Sequence, residues 1–245
     1  MSTHKYITPD YGLCNRLRGY VGAAAYAKKM KATLHVLWDE SPACPYRIQE
    51  LFEPLQNTQF IREDISNVKY VHVSSNVDRL EAILGRYKLP VGQSGLLVAA
   101  LKPVKSIRET IQKLYNTIPL HNALGFHIRR TDHVDYANSC GGCTTLETFW
   151  ALADKYPTKP IFIACDDHAT LELFREKYGS RIHVAKEFTS SKTLRQTDGI
   201  HAVLDLYCLA LCEHFQGSLH SSFTEFVEYL RNTWITHHSL KRKIL

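Results

Sequence analysis

Residues 125–133 (GFHIRRTDH) join a hydrophobic run to two adjacent arginines, a combination that suits anion binding at the end of a strand. Neighbouring residues of a strand point to opposite faces. We therefore expect Arg129 to share a face with His127 and to meet an anionic ligand. Arg130 should face the other way and find a carboxylate behind the sheet. Two structural salt bridges to helix carboxylates explain the same spacing equally well.

Three other polar segments also follow predicted strands: Gly12–Arg16, Asp166-Asp167 and Ser218–Ser222. In doubly wound sheets, ligands bind beyond the carboxyl ends of the strands. The serines precede a predicted helix, whose first N–H groups and neighbouring hydroxyls form an anion site. An ordinary serine N-cap accounts for the same pattern, so this motif is weak by itself.

Motifs that would mark several other chemistries are absent from the sequence. The segment starting at Gly12 is not a G-x-G-x-x-G fingerprint, and there is no P-loop, G-x-S-x-G elbow or H-E-x-x-H spacing. Cys140-Gly-Gly-Cys143 could be half of a zinc site or a redox pair, but no second C-x-x-C exists. A Gly-rich loop that happens to contain thiols is the favoured interpretation, with a loop disulfide as a lesser one.

The elements that must position these residues alternate between strand and helix. Their strand cores are apolar runs, which is typical of parallel sheets covered on both faces. We predict strands at residues 5–8, 33–38, 69–74, 124–128, 160–165, 182–185 and 215–219, and helices at 17–31, 48–52, 107–115, 168–177, 199–212 and 222–234, with a further helix capped by Thr144. Two α/β domains, residues 1–118 and 119–245, are the favoured arrangement. A single continuous doubly wound sheet is the competing one.

The composition fits a soluble globular protein of 245 residues, with 44% hydrophobic and 22% charged residues. A net charge of +6 suits an anionic ligand such as a nucleotide. No Lys/Arg block dominates, so we do not expect a nucleic-acid partner. The sequence has no signal peptide and no apolar run near the ~20 residues that span a bilayer. We therefore expect a cytoplasmic protein with reduced thiols.

Three segments together resemble those of a known enzyme family. HIRRTD at 127–132 resembles the H-x-R-R-T-D segment of the core α-1,6-fucosyltransferases and their nodulation-factor relatives. Gly12…Asn15-Arg16-Leu17 resembles the G-x-x-N-x segment of the wider superfamily, which includes the protein O-fucosyltransferases. Residues 199–206, with Ser221-Ser222 downstream, resemble the family's G-x-x-x-D-[IL] helix and Ser-Ser turn. The matches follow the family order and span residues 12 to 230.

The resemblance implies two Rossmann-like, doubly wound domains in a compact GT-B-like fold. Residues 1–118 would form the acceptor side, and residues 119–245 would bind the nucleotide sugar. The implied activity is transfer of fucose from GDP-fucose, or of a related nucleotide sugar, to a glycan or other hydroxyl acceptor. The implied reaction inverts the anomeric carbon and needs no metal or other cofactor. The resemblance does not indicate an oligomeric state.

The resemblance also implies roles for individual residues. Arg129 would hold the β-phosphate of the leaving GDP, while His127 and Asp205 would meet the nucleoside. Ser221, with Ser222, would hydrogen-bond the phosphates. The remaining donor-site residues would be Gly12, Asn15, Arg16 and, in an assisting or structural role, Arg130.

A general base is expected but not singled out. Asp132 and Asp135, in the loop after the arginines, are candidates, as is Asp39 at a strand's end. The family places a glutamate where this chain has Ala137 and Asn138. Two alternatives from other classes stay open. One is a non-catalytic nucleotide- or glycan-binding module of the same fold. The other is an α/β nucleotide-dependent transferase such as a phosphotransferase, which would require Mg²⁺.

Overall fold

A computed structural model describes residues 2–8, 11–73, 79–187, 198–241 and 244–245. The chain divides into two compact units, Met1–Lys105 with Asn232–Leu240 and Ser106–Arg231 with Lys241–Leu245. Each unit has its own four-stranded parallel sheet flanked by helices, which confirms the predicted α/β class. The predicted domain boundary after residue 118 falls at the end of a helix, Lys105–Thr117, and the two units divide at the first residue of that helix.

The elements alternate along the described chain. The strands are β1 (Thr3–Ile7), β2 (Thr33–Leu37), β3 (Thr58–Ile61), β4 (Lys69–Tyr70), β5 (Leu124–Ile128), β6 (Ile161–Cys165), β7 (Ile182–His183) and β8 (His214–Gly217). The helices are α1 (Leu13–Lys29), α2 (Ile48–Leu51), α3 (Leu80–Arg86), α4 (Ser94–Ala99), α5 (Lys105–Thr117), α6 (His133–Ser139), α7 (Leu146–Lys155), α8 (His168–Tyr178), α9 (Gly199–Leu211), α10 (Ser222–Thr236) and α11 (His238–Lys241). Short 3-10 helices lie at Val91–Gln93, Leu120–Asn122 and Gly179–Arg181.

The two sheets have the same strand order. The first runs β3-β2-β1-β4 and the second β7-β6-β5-β8. In each, the order reverses beside the first strand, between β1 and β4 and between β5 and β8. Ligands of doubly wound sheets bind beyond the carboxyl ends of the strands at such a reversal. The topology of the second sheet therefore makes the loops after β5 and β8 the candidate binding site.

Strand β5 is buried on both faces, which explains the hydrophobic run that leads into the two arginines. Leu124, Phe126 and Ile128 belong to the core shared with α7 and α8, and the Phe126 ring lies 5.4 Å from that of Phe149. On the other face, Gly125 lies against α9 and Cys212, where a Cβ atom would stand 3.0 Å from the Cys212 Sγ. His127 shares the face of Gly125 by alternation.

Several sequence-based predictions differ from the structure. Helix α6 lies inside the segment that we predicted as a loop through Gly142, and β3, α3 and α4 were not predicted. Thr144 is not the cap of α7, because the N-cap residue is Thr145. Strand β7 is shorter than predicted and ends at His183. The polar loop predicted after it lies partly outside the described residues.

A close helix contact in the first unit gives a test of the packing. A Cβ atom at Gly22 of α1 would stand 2.6 Å from Cγ2 of Ile83, a buried β-branched side chain on α3. Gly22→Ala would gain roughly 1 kcal/mol of helix propensity but cost about 1–3 kcal/mol through overpacking. We expect a net loss of free energy of unfolding, measured by urea denaturation.

The matched control is Gly92→Ala in the same unit, where no atom lies within 4 Å of the new Cβ and φ is not positive. This variant should unfold at the same or a slightly higher urea concentration than the parent chain, because alanine lowers the conformational entropy of the unfolded chain. The packing argument fails if Gly22→Ala is as stable as Gly92→Ala.

Candidate functional site

The hydroxyl of Ser218 joins the ends of two neighbouring strands of the second sheet. It accepts a hydrogen bond from the Arg129 backbone N–H at 3.0 Å and donates one to the carbonyl of His127 at 3.1 Å. The Ser218 N–H donates to the same carbonyl at 3.0 Å. The first residue after β8 thereby fixes the first residue after β5, at the reversal of strand order.

His127 presents a defined tautomer at this point. Its Nδ1 lies 2.8 Å from the hydroxyl of Thr224, and that hydroxyl donates its proton to the carbonyl of Ser218 at 3.0 Å. A hydroxyl has one proton, so His127 Nδ1 must donate and Nε2 carries a lone pair. Burial, with Arg129 and His133 nearby, lowers the pKa of His127 to about 3, so the ring is neutral.

Close packing keeps the histidine ring in place. The ring stacks on Phe223 of α10, with centroids 4.5 Å apart. Thr224 reaches His127 because Gly217, the last residue of β8, has no side chain. A Cβ atom there would stand 2.5 Å from the Thr224 Oγ1. The neutral imidazole therefore offers Nε2 as a hydrogen-bond acceptor in a fixed direction.

The Arg129 guanidinium is held by two carboxylates and remains partly exposed. Its Nη2 lies 2.6 Å from Asp132 Oδ1, its Nε lies 3.8 Å from Asp166 Oδ2, and the side chain is 23% exposed. Asp166 also accepts from the Arg130 backbone N–H and from the Thr131 hydroxyl, both at 2.7 Å. Asp166 therefore fixes both the loop backbone and the side chain that the loop presents.

Arg130 reaches an acidic side chain on the other face of the sheet, as expected. Its backbone N–H is bonded to Asp166. The pKa of Glu147, in the first turn of α7, is lowered by hydrogen bonds to its own backbone and to Thr145 and, to a smaller degree, by the charge of Arg130. Helix α7 packs on the face of β5 that carries Phe126, opposite His127. Arg129 differs in that its carboxylate partners, Asp132 and Asp166, lie at the end of the sheet.

The N-terminus of α10 adjoins the arginine loop through Ser218. The helix begins at Ser222, and Glu225 N–H donates to the Ser221 carbonyl at 3.1 Å. Within the described part of the chain, the backbone N–H groups of Ser222, Phe223 and Thr224 have no acceptor. Open N–H groups at a helix start, supported by the helix dipole, form an anion site.

Two residues from the segment after β5, His133 and Thr144, form hydrogen bonds to the turn between β8 and α10. His133 Nε2 lies 2.7 Å from the Leu219 carbonyl, and the Leu219 N–H donates to the Thr144 hydroxyl at 2.8 Å. A carbonyl can only accept, so His133 Nε2 donates. We call these two bonds the Leu219 clamp. They fix a turn in which the next residue, His220, adopts a left-handed backbone with φ +58°.

Asp205 is buried in α9, on the face of the sheet that His127 also faces. Its side chain is 6% exposed, and burial, with the nearby charge of Asp198, raises its pKa well above the usual value. Oδ2 lies 3.4 Å from the His201 Nε2, and burial lowers the pKa of that histidine. Oδ1 has no hydrogen-bond partner among the described residues. A buried carboxyl oxygen without a partner is suited to a ligand that donates a hydrogen bond.

The other predicted residues lie in the first unit. Gly12 is the N-cap of α1, and the Asn15 Oδ1 accepts from Arg18 at 2.5 Å. Arg16 is buried, and its guanidinium donates to the carbonyls of Tyr11 and Asp39 and to two hydroxyls. Arg16 thus ties the loop after β1 to the chain after β2.

The second unit therefore brings together His127, Arg129, Ser221 and Ser222, with Asp205 in the adjoining layer and Asp135 in the first turn of α6. Sequence reasoning missed His133, Thr144 and Thr224, which act through single hydrogen bonds to distant parts of the chain. The only available signal was that hydroxyl and imidazole side chains are concentrated after β5 and β8.

Among the described residues, no group of three or more His, Cys, Asp and Glu side chains is arranged to hold a metal ion. No helix within the described ranges is long and apolar enough to cross a membrane.

Comparison with known proteins shows the fold. No family model and no curated protein matches the sequence. Among solved structures, the chain is similar to the fucosyltransferase NodZ from Bradyrhizobium, with TM-score 0.58, 17% identity and 93% of both chains covered. The NodZ α-1,6-fucosyltransferase soaked with GDP-fucose gives TM-score 0.60 and 17% identity over 94% of this chain and 93% of that one. POFUT1 in complex with GDP gives TM-score 0.63 and 14% identity over 94% of each chain. The expected fold, the one that NodZ and POFUT1 share, is confirmed.

The buried carboxyl of Asp205 predicts a pH dependence of stability. The folded chain keeps a proton on Asp205 at pH values where the unfolded chain has lost it. This contribution to stability is full below the ordinary pKa of 3.8 and is lost as pH rises towards the raised pKa. Asp205→Asn cannot ionise, so its melting temperature relative to the parent should rise between about pH 4 and about pH 8. Equal differences at the two pH values would contradict a raised pKa.

Proposed function

We propose that this protein is an inverting, metal-independent fucosyltransferase that uses GDP-fucose and a hydroxyl acceptor such as a glycan. One observation carries the proposal: Ser218, four residues before the open N-terminus of α10, bonds to the backbone N–H of Arg129, whose guanidinium is partly exposed, at the reversal of strand order. The fold shared with NodZ and POFUT1, whose solved structures include GDP or GDP-fucose, supports this choice of nucleotide.

The proposed donor site has two parts. The β-phosphate would bind Arg129 and the N–H groups that open α10, with the Ser221 and Ser222 hydroxyls beside them. The guanine base of GDP would lie on the face of the sheet that His127 and Asp205 share. His127 Nε2 carries a lone pair, and Asp205 Oδ1 has no partner among the described residues, so each can accept a hydrogen bond from a ligand. A guanine offers N–H donors on its Watson–Crick edge, which fits two such acceptors.

The proposed chemistry follows from where charge develops. As the acceptor oxygen bonds to the anomeric carbon, the bond from that carbon to the β-phosphate oxygen breaks, and its electron pair leaves with GDP. Arg129 and the helix N-terminus are fixed where the diphosphate gains charge, so they stabilise the transition state more than the ground state. This is the task that a divalent cation performs in other transferases.

The acceptor proton needs a base, and the two candidates in this unit are placed differently. Asp132 Oδ1 is engaged by Arg129, so we assign Asp132 to orienting that guanidinium. Asp135 is exposed in the first turn of α6, and its carboxylate has no hydrogen bond or ion pair among the described residues. We therefore propose Asp135 as the general base. Arg16, Asn15 and Gly12 would order the first unit's loops, and Arg130 would assist through its charge.

Arg129→Ala tests the donor site. We expect GDP release from GDP-fucose, with a panel of glycan acceptors, to fall by at least about 10²-fold, because a fixed donor to developing charge is lost. The parent chain should stay active with a chelator present. The matched control is Arg175→Ala, which removes an arginine on α8 that pairs with Glu172 and Glu187 and leaves β5 untouched. Near-normal turnover in Arg129→Ala would refute the role of Arg129. If the parent chain binds GDP but shows no turnover, the protein is a non-catalytic binding module instead.

Asp135→Asn tests the base. We expect kcat to fall by roughly 10²–10⁴-fold while GDP affinity, measured by calorimetry, stays unchanged. The fall in rate at low pH, which reports protonation of the general base, should be absent from the Asp135→Asn variant. Asp132→Asn should instead weaken GDP binding, since Arg129 loses the carboxylate that orients it. If Asp132→Asn removes this fall in rate at low pH and Asp135→Asn does not, the two assignments are reversed.

A further inference from the structure

The segment that supplies both bonds of the Leu219 clamp also carries the Cys140–Cys143 pair. Cys140 follows α6 directly as its C-cap, and α6 begins with the clamp residue His133. Cys143 immediately precedes the other clamp residue, Thr144. The chain between the two thiols thus connects the two residues that hold the turn in front of α10.

These two thiols differ from the rest of the cysteines. Cys140 is exposed and Cys143 is partly exposed, whereas the other five are buried. Both are free, and the Cys140 thiol lies 4.0 Å from the Ser139 hydroxyl. Access to solvent is the first requirement for a thiol that reacts with a disulfide in solution. Only this pair of neighbouring cysteines satisfies it.

The residues between the thiols allow the chain to rearrange. Gly141 and Gly142 have φ of +109° and +130°, and no atom lies within 4 Å of where their Cβ atoms would stand. Their N–H groups donate to the carbonyls of Asn138 at 3.2 Å and Ala137 at 3.0 Å, so a change of the turn exchanges these two bonds. Glycine can reach other backbone angles at little steric cost. A disulfide needs Cα atoms about 4.4–6.8 Å apart, a separation that a Gly-Gly turn can provide.

We propose that Cys140 and Cys143 are a thiol–disulfide site, oxidised by a low-molecular-weight disulfide, and that oxidation loosens the Leu219 clamp. One thiolate attacks a sulfur of the reagent, forms a mixed disulfide and expels one reagent thiolate. The second protein thiolate then attacks the mixed disulfide and expels the other. Two protein S–H bonds become one S–S bond, and two reagent thiols carry away the protons and electrons.

The direction of the effect follows from the reduced structure. Both clamp bonds are already formed with free thiols, at 2.7 Å and 2.8 Å. A disulfide that changes the Gly141-Gly142 conformation moves Cys143 and, with it, the adjoining Thr144. Thr144 is adjacent to Cys143, so its bond to the Leu219 N–H is the first to be disturbed. The turn in front of α10 then loses part of its support.

The clamp has a direct readout, because the Leu219 amide proton is bonded to Thr144. We would treat the full chain with oxidised glutathione and confirm by mass spectrometry that an intramolecular disulfide joins Cys140 to Cys143. Amide hydrogen exchange at Leu219 should then be at least about fivefold faster than in the reduced chain, the effect of losing one hydrogen bond. Reducing agent should restore the slow rate.

Cys140→Ser is the matched control, since it cannot form this disulfide and should show the same Leu219 exchange rate before and after treatment. Equal exchange in the reduced and oxidised parent chain would overturn the proposal, as would the persistence of a mixed disulfide or of two free thiols. This measurement needs no nucleotide and stands apart from the proposed function.

The consequence for ligand binding does rest on that function. Calorimetry should show GDP affinity reduced about fivefold in the oxidised chain. If the reduced chain does not bind GDP, the proposed function is wrong, while the amide measurement still decides the disulfide. If both forms bind GDP equally although exchange differs, the clamp does not control the anion site.

Discussion

One hydrogen-bonded junction fixes the candidate site, and the other contacts depend on it. Ser218 bonds to the backbone on both sides of Ile128, so the end of β8 is registered against the end of β5. The helix that follows, α10, can then place Thr224 on His127 and open its N–H groups near the arginine loop. A shift of this junction would separate the charge from the helix N-terminus. The geometry therefore depends on side-chain hydroxyls, those of Ser218 and Thr224, that bond across the ends of the two strands.

Burial determines which polar groups of the site are neutral. His127 and Asp205 are buried, and desolvation shifts the pKa of each towards its neutral form. Arg129, in contrast, is partly exposed and lies beside two carboxylates. A neutral interior with a charged rim suits a ligand that has an uncharged base at one end and a diphosphate at the other. This is the physical reason for favouring a nucleotide diphosphate over a simple anion.

The sequence alone was enough to predict features that depend on periodic or local patterns of residues. The limits of β5 were predicted because four of its five residues are apolar or small and the strand ends at a charge, and the resemblance carried by HIRRTD led to the correct fold. The partners of His133, Thr144 and Thr224 were not predictable, since each bonds to a backbone group or ring far away in sequence. Thr144 shows why: its type and spacing fit a helix cap, but Thr145 is the N-cap, and the hydroxyl of Thr144 meets Leu219 instead. Arg130 was predicted to face a carboxylate behind the sheet, and the carboxylate that its charge reaches, Glu147, lies on α7, which packs on that face.

The two sheets have the same topology but different roles, as a comparison of Arg16 with Arg129 indicates. Arg16, after β1, is buried, and its guanidinium donates hydrogen bonds to carbonyls and hydroxyls of its own unit. Such an arginine organises loops, because its donors are already bonded. Arg129, after β5, is partly exposed, and its partners are carboxylates rather than backbone carbonyls. An incoming diphosphate can therefore bind the exposed part of the Arg129 guanidinium while Asp132 continues to orient it. An arginine that follows the first strand of each sheet is thus structural in the first unit and suited to ligand binding in the second.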